Sequence, residues 1–579
     1  MIQTIQGKKY LWQLPNADNQ EVIRHLHGAY TMLPAVIETL VGRGYTTKEA
    51  IETFLFTQKE RDVGDPRLLK DAEKSADRIL QAIKNKERIL VVGDYDVDGI
   101  TATSMMMLCL LKCEAQVNFF LPHRVRDGYG LSKRIVERAA KNKYTLVITV
   151  DNGITAFEPA RCARELGIDL IITDHHQTHN EIPDAFAVIN PQQHDCSYPY
   201  KHLAGVGVAF KLLSLVFDMM GHALPEKVYE LLMFGTVADV VPLTGENRFW
   251  VRHGLHHVND NESMSLRVLK ENVRSTKPSL SSRDIGFSIA PQINALGRLE
   301  DPRQGVKFLI GSDEQEVNQV GRVLHELNQA RKLIEQSIVA DIQSDIDNGY
   351  IDPHAESVII SSRSNWQPGV IGLAASRMVS QYHRPTFLFH EKKDGTITGS
   401  CRSIPGLNVF QALEQSRDML TKFGGHAAAA GLSMPKEQLP AFKKQVEAYI
   451  AATLQPEDFV KKLHIDAMMT MEQVSKKLMA DLRYLEPFGC ANDQPVFYLQ
   501  DVYAIEPPQL LKDVHVKCRV FADGIIKPVI FFNRPDIYDA IVQSGDRSFD
   551  MAVYVVENHW NGKTSIEFQG IDIVYKGEQ

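Results

Sequence analysis

The sequence predicts a multidomain α/β protein with a β-rich tail, and three observations carry that prediction. The chain is 579 residues long, beyond what one hydrophobic core organises, so roughly two to four domains are expected. Between Arg88 and Asn190 short apolar runs alternate with helix-like stretches. After about Leu463 the pattern changes to short β-prone runs divided by Gly, Pro, Asn and Asp.

The first region reads RILVV, TSMMMLCLLK, VNFFLP, YTLVITV, DLIITD and AVINP, the alternation of a parallel sheet with crossover helices. Open parallel sheets place ligands beyond the carboxyl ends of their strands. Three of these strands run into Asp94 to Asp98, Asp151, and Asp174 to His176. From Asp313 to about Asp347 the spacing of apolar residues predicts one long connecting helix, with a weak break near Gly321. SVIISS, WQPGVIG, LAASRMVSQY and PTFLFH then predict a second, smaller α/β domain. The tail fits a small barrel of the OB type, with a β-sandwich as the alternative. The expected boundaries are an N-terminal helical segment at 1–70, a catalytic domain at 71–312, the connecting helix at 313–355, the second lobe at 356–454 and the OB domain at 455–579.

Composition excludes several classes. Hydrophobic residues make up 44% and charged residues 23% of the chain, and no apolar run approaches the roughly 18 residues of a membrane span. The start, MIQTIQGKKYLWQL, lacks a signal-peptide pattern, so a cytoplasmic protein is expected. Seven cysteines without a CxxC pair form neither a disulfide framework nor a zinc ribbon. A net charge of −8 means that any nucleic-acid binding must come from a local basic surface. The tail from Glu457 onward is itself acidic, with 13 Lys and Arg against 19 Asp and Glu.

Asp94, Asp96 and Asp98 alternate in DYDVDG at a strand end. Three such carboxylates repel one another unless a cation holds them, the alternative being a solvated acidic turn. Asp174, His175 and His176 present a carboxylate and two imidazoles at another strand end, with structural histidines as the alternative. Asp151 in VDNG and Asp239 in GTVADVVPL read either as further ligands or, respectively, as a turn residue and as a helix cap or internal salt-bridge partner. Oxygen ligands with one or two imidazoles and no cysteine favour Mn²⁺ or Mg²⁺ over structural Zn²⁺. Two such ions, roughly 3.5–4 Å apart, suit phosphoester hydrolysis.

In their order, DYDVDG, VDNG, TDHH and GTVADVVPL resemble the four metal-site motifs of the DHH phosphoesterase superfamily. PHRVRDGYGL, INALGRL, WQPGVIGLAASR, GSCRS, GGHAAAAGL and LEPFGCANDQPVF extend the resemblance, over nearly the whole chain, to its bacterial single-strand-specific exonucleases. The resemblance implies that Asp96 and Asp98 each ligate one of two Mn²⁺ or Mg²⁺ ions, that Asp151 bridges them, and that His175 and Asp239 complete the shell. Asp94 and Asp174 would then stand behind the ligands or hold water, and His176 would contact the scissile phosphate, stabilise its charge or protonate the leaving oxygen. Gly424, Gly425 and His426 resemble the motif of the DHHA1 lobe, and Arg124, Arg298, Ser400 and Arg402 lie in motifs around a terminal 5' phosphate. Tyr129 and Trp366 are candidate stacking residues, weighed against core packing.

The implied activity is hydrolysis of single-stranded DNA from the 5' end to 5'-mononucleotides, in DNA repair and recombination, by a monomer with no membrane contact. A single-strand-binding protein and a helicase are the partners the resemblance suggests. The rival readings are a DHH phosphodiesterase acting on short oligonucleotides or cyclic dinucleotides, a pyrophosphatase with the same cluster, and a catalytically silent replication scaffold.

Overall fold

A hairpin opens the chain, β1 (Thr4–Gln6) against β2 (Leu11–Gln13), followed by helices Gln20–His27, Pro34–Gly42 and Lys48–Leu55. The computed structural model describes residues 3–575 except 17, 18, 125, 276, 546, 561 and 562, so Val125 of the PHRVRDGYGL motif lies outside the described residues. The hairpin departs from the helical segment expected at 1–70, and its partner at the opposite end of the chain is the reason. β2 pairs in parallel with residues 462–464. The fully buried Trp12 donates its indole N–H to Asp572 Oδ2 at 3.0 Å. The helices that follow bury Leu26, Val36, Ile37, Leu40 and Leu55 in the same core as the C-terminal barrel.

The first sheet follows from alternation within its strands. β3 (Arg88–Val92), β4 (Gln116–Phe120), β5 (Leu146–Val150), β6 (Asp169–Thr173) and β7 (Ala187–Ile189) form a parallel sheet in the order β4-β3-β5-β6-β7. Ile89, Val91, Leu146, Ile148 and Ile171 point into one core, and Leu90, Val92, Val147, Leu170 and Ile172 into the other. Burial on both faces explains why these strands read as continuous apolar runs. Full burial of each such side chain contributes about 1.5–3 kcal/mol.

Helix Val97–Lys112 leaves β3 inside the acidic motif, its first turn capped by Asp96, which accepts from Gly99 N at 3.1 Å. It lies between the sheet and helices Gly205–Met219 and Lys227–Ala238, so it is buried nearly all round. Its polar residues Thr101, Thr103 and Ser104 satisfy their hydroxyls on carbonyls one turn back.

Helix Glu314–Asp347 is continuous over 34 residues, about 51 Å at 1.5 Å per residue. Gly321 does not break it. A Cβ there would lie 2.1 Å from Val268 Cγ1, so the glycine permits close packing on helix Met264–Asn272. Beyond it, β8 (Ile359–Arg363), β9 (Thr386–Glu391), β10 (Thr396–Arg402), β11 (Lys422–Gly425) and β12 (Ala429–Pro435) make the second sheet, in the order β11-β12-β10-β9-β8.

The tail holds β13 (Lys462–His464), β14 (Ala467–Met468), β15 (Phe497–Ala504), β16 (Gln509–Leu511), β17 (His515–Ala522), β18 (Ile525–Phe531), β19 (Phe549–Trp560) and β20 (Lys563–Val574). β15 pairs with β19 along its first half and with β17 at its end. The ring β15-β19-β20-β18-β17 therefore closes, which decides for a barrel over a sandwich. Among the described residues no helix is long and apolar enough to cross a membrane.

Candidate metal centre

The carboxyl ends of β3, β5 and β6 bring Asp94 to Asp98, Asp151 and Asp174 to His176 to one place, and the end of helix Lys227–Ala238 adds Asp239. His175 Nε2 lies 3.2 Å from Asp151 Oδ1, 3.6 Å from Asp239 Oδ2 and 3.9 Å from Asp98 Oδ2. Three overlapping groups have ligand atoms within 4.8 Å of one another: Asp98, His175 and Asp239; Asp151, His175 and His176; and Asp94, Asp96 and Asp151. Asp94 Oδ1, Asp151 Oδ1 and His175 Nε2 are buried without a hydrogen-bond partner. Orphaned acceptors converging in this way fit a divalent cation.

The electrostatics agree. Burial, with Asp96 beside it, pushes Asp98 up to about 7. Burial and the charges of Asp98 and Asp96 raise Asp151 well above the carboxylate range. Asp239 is raised by burial and Asp98, and Asp94 by burial and Asp96. Only a cation would let these groups ionise together. Asp98 is further fixed by accepting from Gly205 N at 2.6 Å and Val206 N at 2.8 Å, at the start of helix Gly205–Met219. A Cβ on Gly205 would lie 2.5 Å from that of Asp151, so glycine is what allows this helix to abut the cluster.

The two histidines are driven apart. Burial and the neighbouring His176 lower His175 to about 4, leaving a neutral imidazole suited to ligation. For His176 burial opposes protonation, but the hydrogen bond and charge of Asp174 outweigh it and hold the ring up to about 9. His176 Nδ1 donates to Asp174 Oδ1 at 2.7 Å. Asp174 is itself saturated: Oδ1 also accepts from His175 N and His176 N, and Oδ2 from Ile154 N. Burial would raise that carboxyl, but the His176 contacts bring it down to about 2. Tyr129 is half-exposed, donates to Asp151 O at 3.2 Å and sets its ring edge-on to His176.

The second lobe faces this cluster. The exposed Gly424 and Gly425 end β11, and the next residue, His426, stacks on His176 with ring centroids 6.0 Å apart. Beside them is a pocket of guanidinium groups. Arg298 Nη1 donates to Gly369 O at 3.0 Å, and Arg124 Nε to Gly297 O at 3.3 Å with its guanidinium over the Tyr95 ring. Arg402 Nη1 donates to Ser400 Oγ at 2.9 Å. Burial and the charges of Arg124, Arg331 and Arg402 lower Arg298 to about 9. Among the described residues none of Arg124, Arg298 and Arg402 pairs with a carboxylate, so guanidinium donors suited to phosphate oxygens are left uncommitted to protein acids.

Three family models match the chain: the DHH family, N-terminal domain, over residues 88–236, the DHHA1 domain over 355–452 and the RecJ OB domain over 465–572. The single-stranded-DNA-specific exonuclease RecJ of Bacillus subtilis is 33% identical over 561 residues, which are 96% of this chain and 70% of that protein. The Escherichia coli enzyme of the same name is 31% identical over 570 residues, 92% of this chain and 96% of its own. The chain belongs to the RecJ family. The crystal structure of Thermus thermophilus RecJ in complex with Mn²⁺ superposes with a TM-score of 0.82 at 28% identity, covering 97% of this chain and 79% of that one. The Mg²⁺ complex of the same protein gives 0.75 at 26% identity, with 98% and 79% covered.

One candidate is overturned within this RecJ-type fold. Trp366 is 2% exposed, packs against the connecting helix and donates Nε1–H to Asp341 Oδ2 at 2.8 Å, so it is core and presents no stacking face. Sequence reading also passed over Gly205 and Arg331. The run AGVGVAF, small residues at the start of an apolar helix, was the available signal for the first. Arg331 reads as an ordinary i,i+4 partner of Glu335, which it is, at 2.7 Å.

Proposed function

We propose that this RecJ-family chain is a metal-dependent, single-stranded-DNA-specific exonuclease that works from the 5' end and releases 5'-mononucleotides. The observation that carries this reading is the union of an orphaned, cation-demanding carboxylate cluster with an unpaired guanidinium pocket across one cleft. Asp96, Asp98, Asp151, His175 and Asp239 would hold two ions, Mn²⁺ or Mg²⁺, with Asp151 between them and Asp94 close behind. When bound, such a pair activates water and stabilises charge on a phosphoryl group. His176, kept protonated by Asp174, donates a hydrogen bond to a phosphoryl oxygen and can protonate the leaving oxygen. Arg124, Arg298, Arg402 and Ser400 hold the terminal phosphate, which sets the polarity. Intact and unsatisfied ligand atoms argue against a silent scaffold. The chain acts as a monomer in repair and recombination, with the acidic barrel serving as a clamp or as a dock for a single-strand-binding protein or helicase.

The test is Mn²⁺-dependent digestion of one DNA strand labelled at either end, beside the same label in a blunt duplex. Release from the 5' end of the single strand alone is expected. Digestion restricted to dinucleotides would instead favour a short-substrate phosphodiesterase. Within an active enzyme, Arg298→Ala should reduce the preference for a 5'-phosphorylated over a 5'-hydroxyl strand by about tenfold or more, the worth of one charged hydrogen-bonding group. An unchanged ratio of kcat/KM for the two ends would remove Arg298 from end recognition.

A further inference from the structure

The edge strand β4 leaves part of the first sheet uncovered. On one face, Leu90 and Val92 of β3 and Val147 of β5 are buried with Ile135, Val136 and Ala139 of helix Lys133–Lys141. That helix joins β4 to β5 across β3, so it covers the middle of the sheet and not its edge. β4 adds only the partly buried Phe120 to this core. The space left at the edge is a cavity of about 510 Å³, within the roughly 300–1,000 Å³ of small-ligand sites. None of the metal-cluster residues lines it, nor do Arg124, Arg298, Ser400 and Arg402.

Its walls combine two chemistries. Phe119, Phe120, Ile135 and Ala139 give an apolar floor that ends at Tyr144, whose ring centroid lies 4.6 Å from the Arg88 guanidinium. Around it stand Arg126, Arg134, Arg138 and Arg303. Arg134 and Arg138 share one helix face, with Asn142 a turn further on. Two cations at that spacing repel each other, so the stripe does not serve helix stability. The two acids of the cavity are already engaged. Asp127 Oδ2 accepts from His123 N at 3.0 Å, and Asp301 Oδ2 accepts from Arg303 Nε at 2.8 Å. Among the described residues no ion pair joins Arg126, Arg134 or Arg138 to a carboxylate. In a chain of net charge −8, three such arginines around one cavity reverse the charge locally.

We propose that this cavity is a second anion site, which binds a nucleoside phosphate with its phosphate among Arg126, Arg134 and Arg138 and its base over Phe119, Phe120 and Tyr144. Guanidinium forks match phosphate oxygens, and aromatic side chains accept a flat ring. A free phosphate would leave the floor unused, and an uncharged ring would leave the arginines unused. The site shares backbone with the end pocket: Arg126 follows Arg124 by two residues in the loop after β4, and Arg303 follows Arg298 by five. The proposal does not rest on the exonuclease reading, because binding is measured without metal and without cleavage.

The experiment is titration calorimetry of the metal-free full chain with deoxyadenosine 5'-monophosphate, inorganic phosphate and deoxyadenosine. It compares the wild type, Arg134→Ala/Arg138→Ala, Arg298→Ala and the triple variant. Arg134 and Arg138 are exposed, so their removal should leave the melting temperature unchanged. One equivalent of the nucleotide should bind Arg298→Ala, and the triple variant should bind it at least about tenfold more weakly, the worth of one charged hydrogen-bonding group. The double variant should lose the same site in the wild-type background, so the result does not depend on how Arg298→Ala folds. Phosphate and deoxyadenosine should each bind at least about tenfold more weakly than the nucleotide. Nucleotide binding that persists in the triple variant, or that is absent from both the wild type and Arg298→Ala, would overturn the proposal. So would phosphate binding as tight as that of the nucleotide. A double variant whose affinity for a long single strand falls as far as its affinity for the nucleotide would assign these arginines to the strand instead, and would equally overturn it.

Discussion

Asp151→Asn should lower Mn²⁺-dependent hydrolysis of single-stranded DNA by on the order of 10³-fold or more while leaving the fold intact. Asn is the informative replacement because Asp151 adopts φ +60°, a left-handed conformation that Asn tolerates and Ala resists. The carboxylate belongs to two of the three convergent ligand groups, so its loss damages both halves of the site. Thermal unfolding gives a second, independent readout. In the metal-free state, removing one of several crowded buried carboxylates should raise the melting temperature. Saturating Mn²⁺ should stabilise the wild type by ligand linkage and shift the variant little. Undiminished turnover together with an undiminished Mn²⁺ shift would exclude Asp151 from the metal site.

The parts of this molecule legible in its sequence are those whose cause is local. Strand ends that run into Asp94 to Asp98, Asp151 and Asp174 to His176 announce themselves because each carboxylate or imidazole follows directly on an apolar strand. The connecting helix is legible for the same reason: its spacing is unbroken, and Asp313 caps it by accepting from Glu316 N. What was not legible depends on partners distant in the chain. Asp98 is held by Gly205 N and Val206 N, and no window around either residue contains the other. Trp366 sits in a glycine-containing motif, yet its neighbours on the connecting helix make it core.

The LEPFGCANDQPVF motif illustrates a different reason for a strong sequence signal. Its Asn492 donates Nδ2–H to Leu485 O and Pro487 O and accepts from Arg43 Nη1 at 3.0 Å. Cys490 O accepts from Leu243 N at 2.8 Å, close after the helix that ends at Asp239. The motif therefore acts as a bracket between the barrel, the N-terminal helices and the catalytic half. The acidic barrel is thus positioned partly by basic residues from outside it: Arg43 also donates Nε–H to Asp466 Oδ1 at 2.8 Å.

The same junction yields the largest expected change in stability. Arg248, 1% exposed on helix Gly245–Asp260 of the catalytic half, donates to Phe54 O at 3.0 Å, Leu485 O at 2.9 Å and Tyr484 O at 2.9 Å. Those carbonyls end the helices Lys48–Leu55 and Lys476–Leu485, where a cation is favoured by both helix termini. Burial, with Arg252 nearby, lowers the guanidinium to about 9, still charged at neutral pH. Arg248→Met keeps the apolar stem but removes the guanidinium that lies over the Phe54 ring and leaves three buried carbonyls without donors, which should cost about 3–5 kcal/mol. The expected result is a lower first unfolding transition and faster proteolysis at the junction, with the Mn²⁺-induced shift retained because the metal ligands are untouched. KM for long strands should rise more than KM for a dinucleotide if barrel placement serves the longer substrate. A first transition within about 1 °C of the wild type would mean that solvent or neighbouring donors satisfy those carbonyls, and that the junction is held by its apolar core alone.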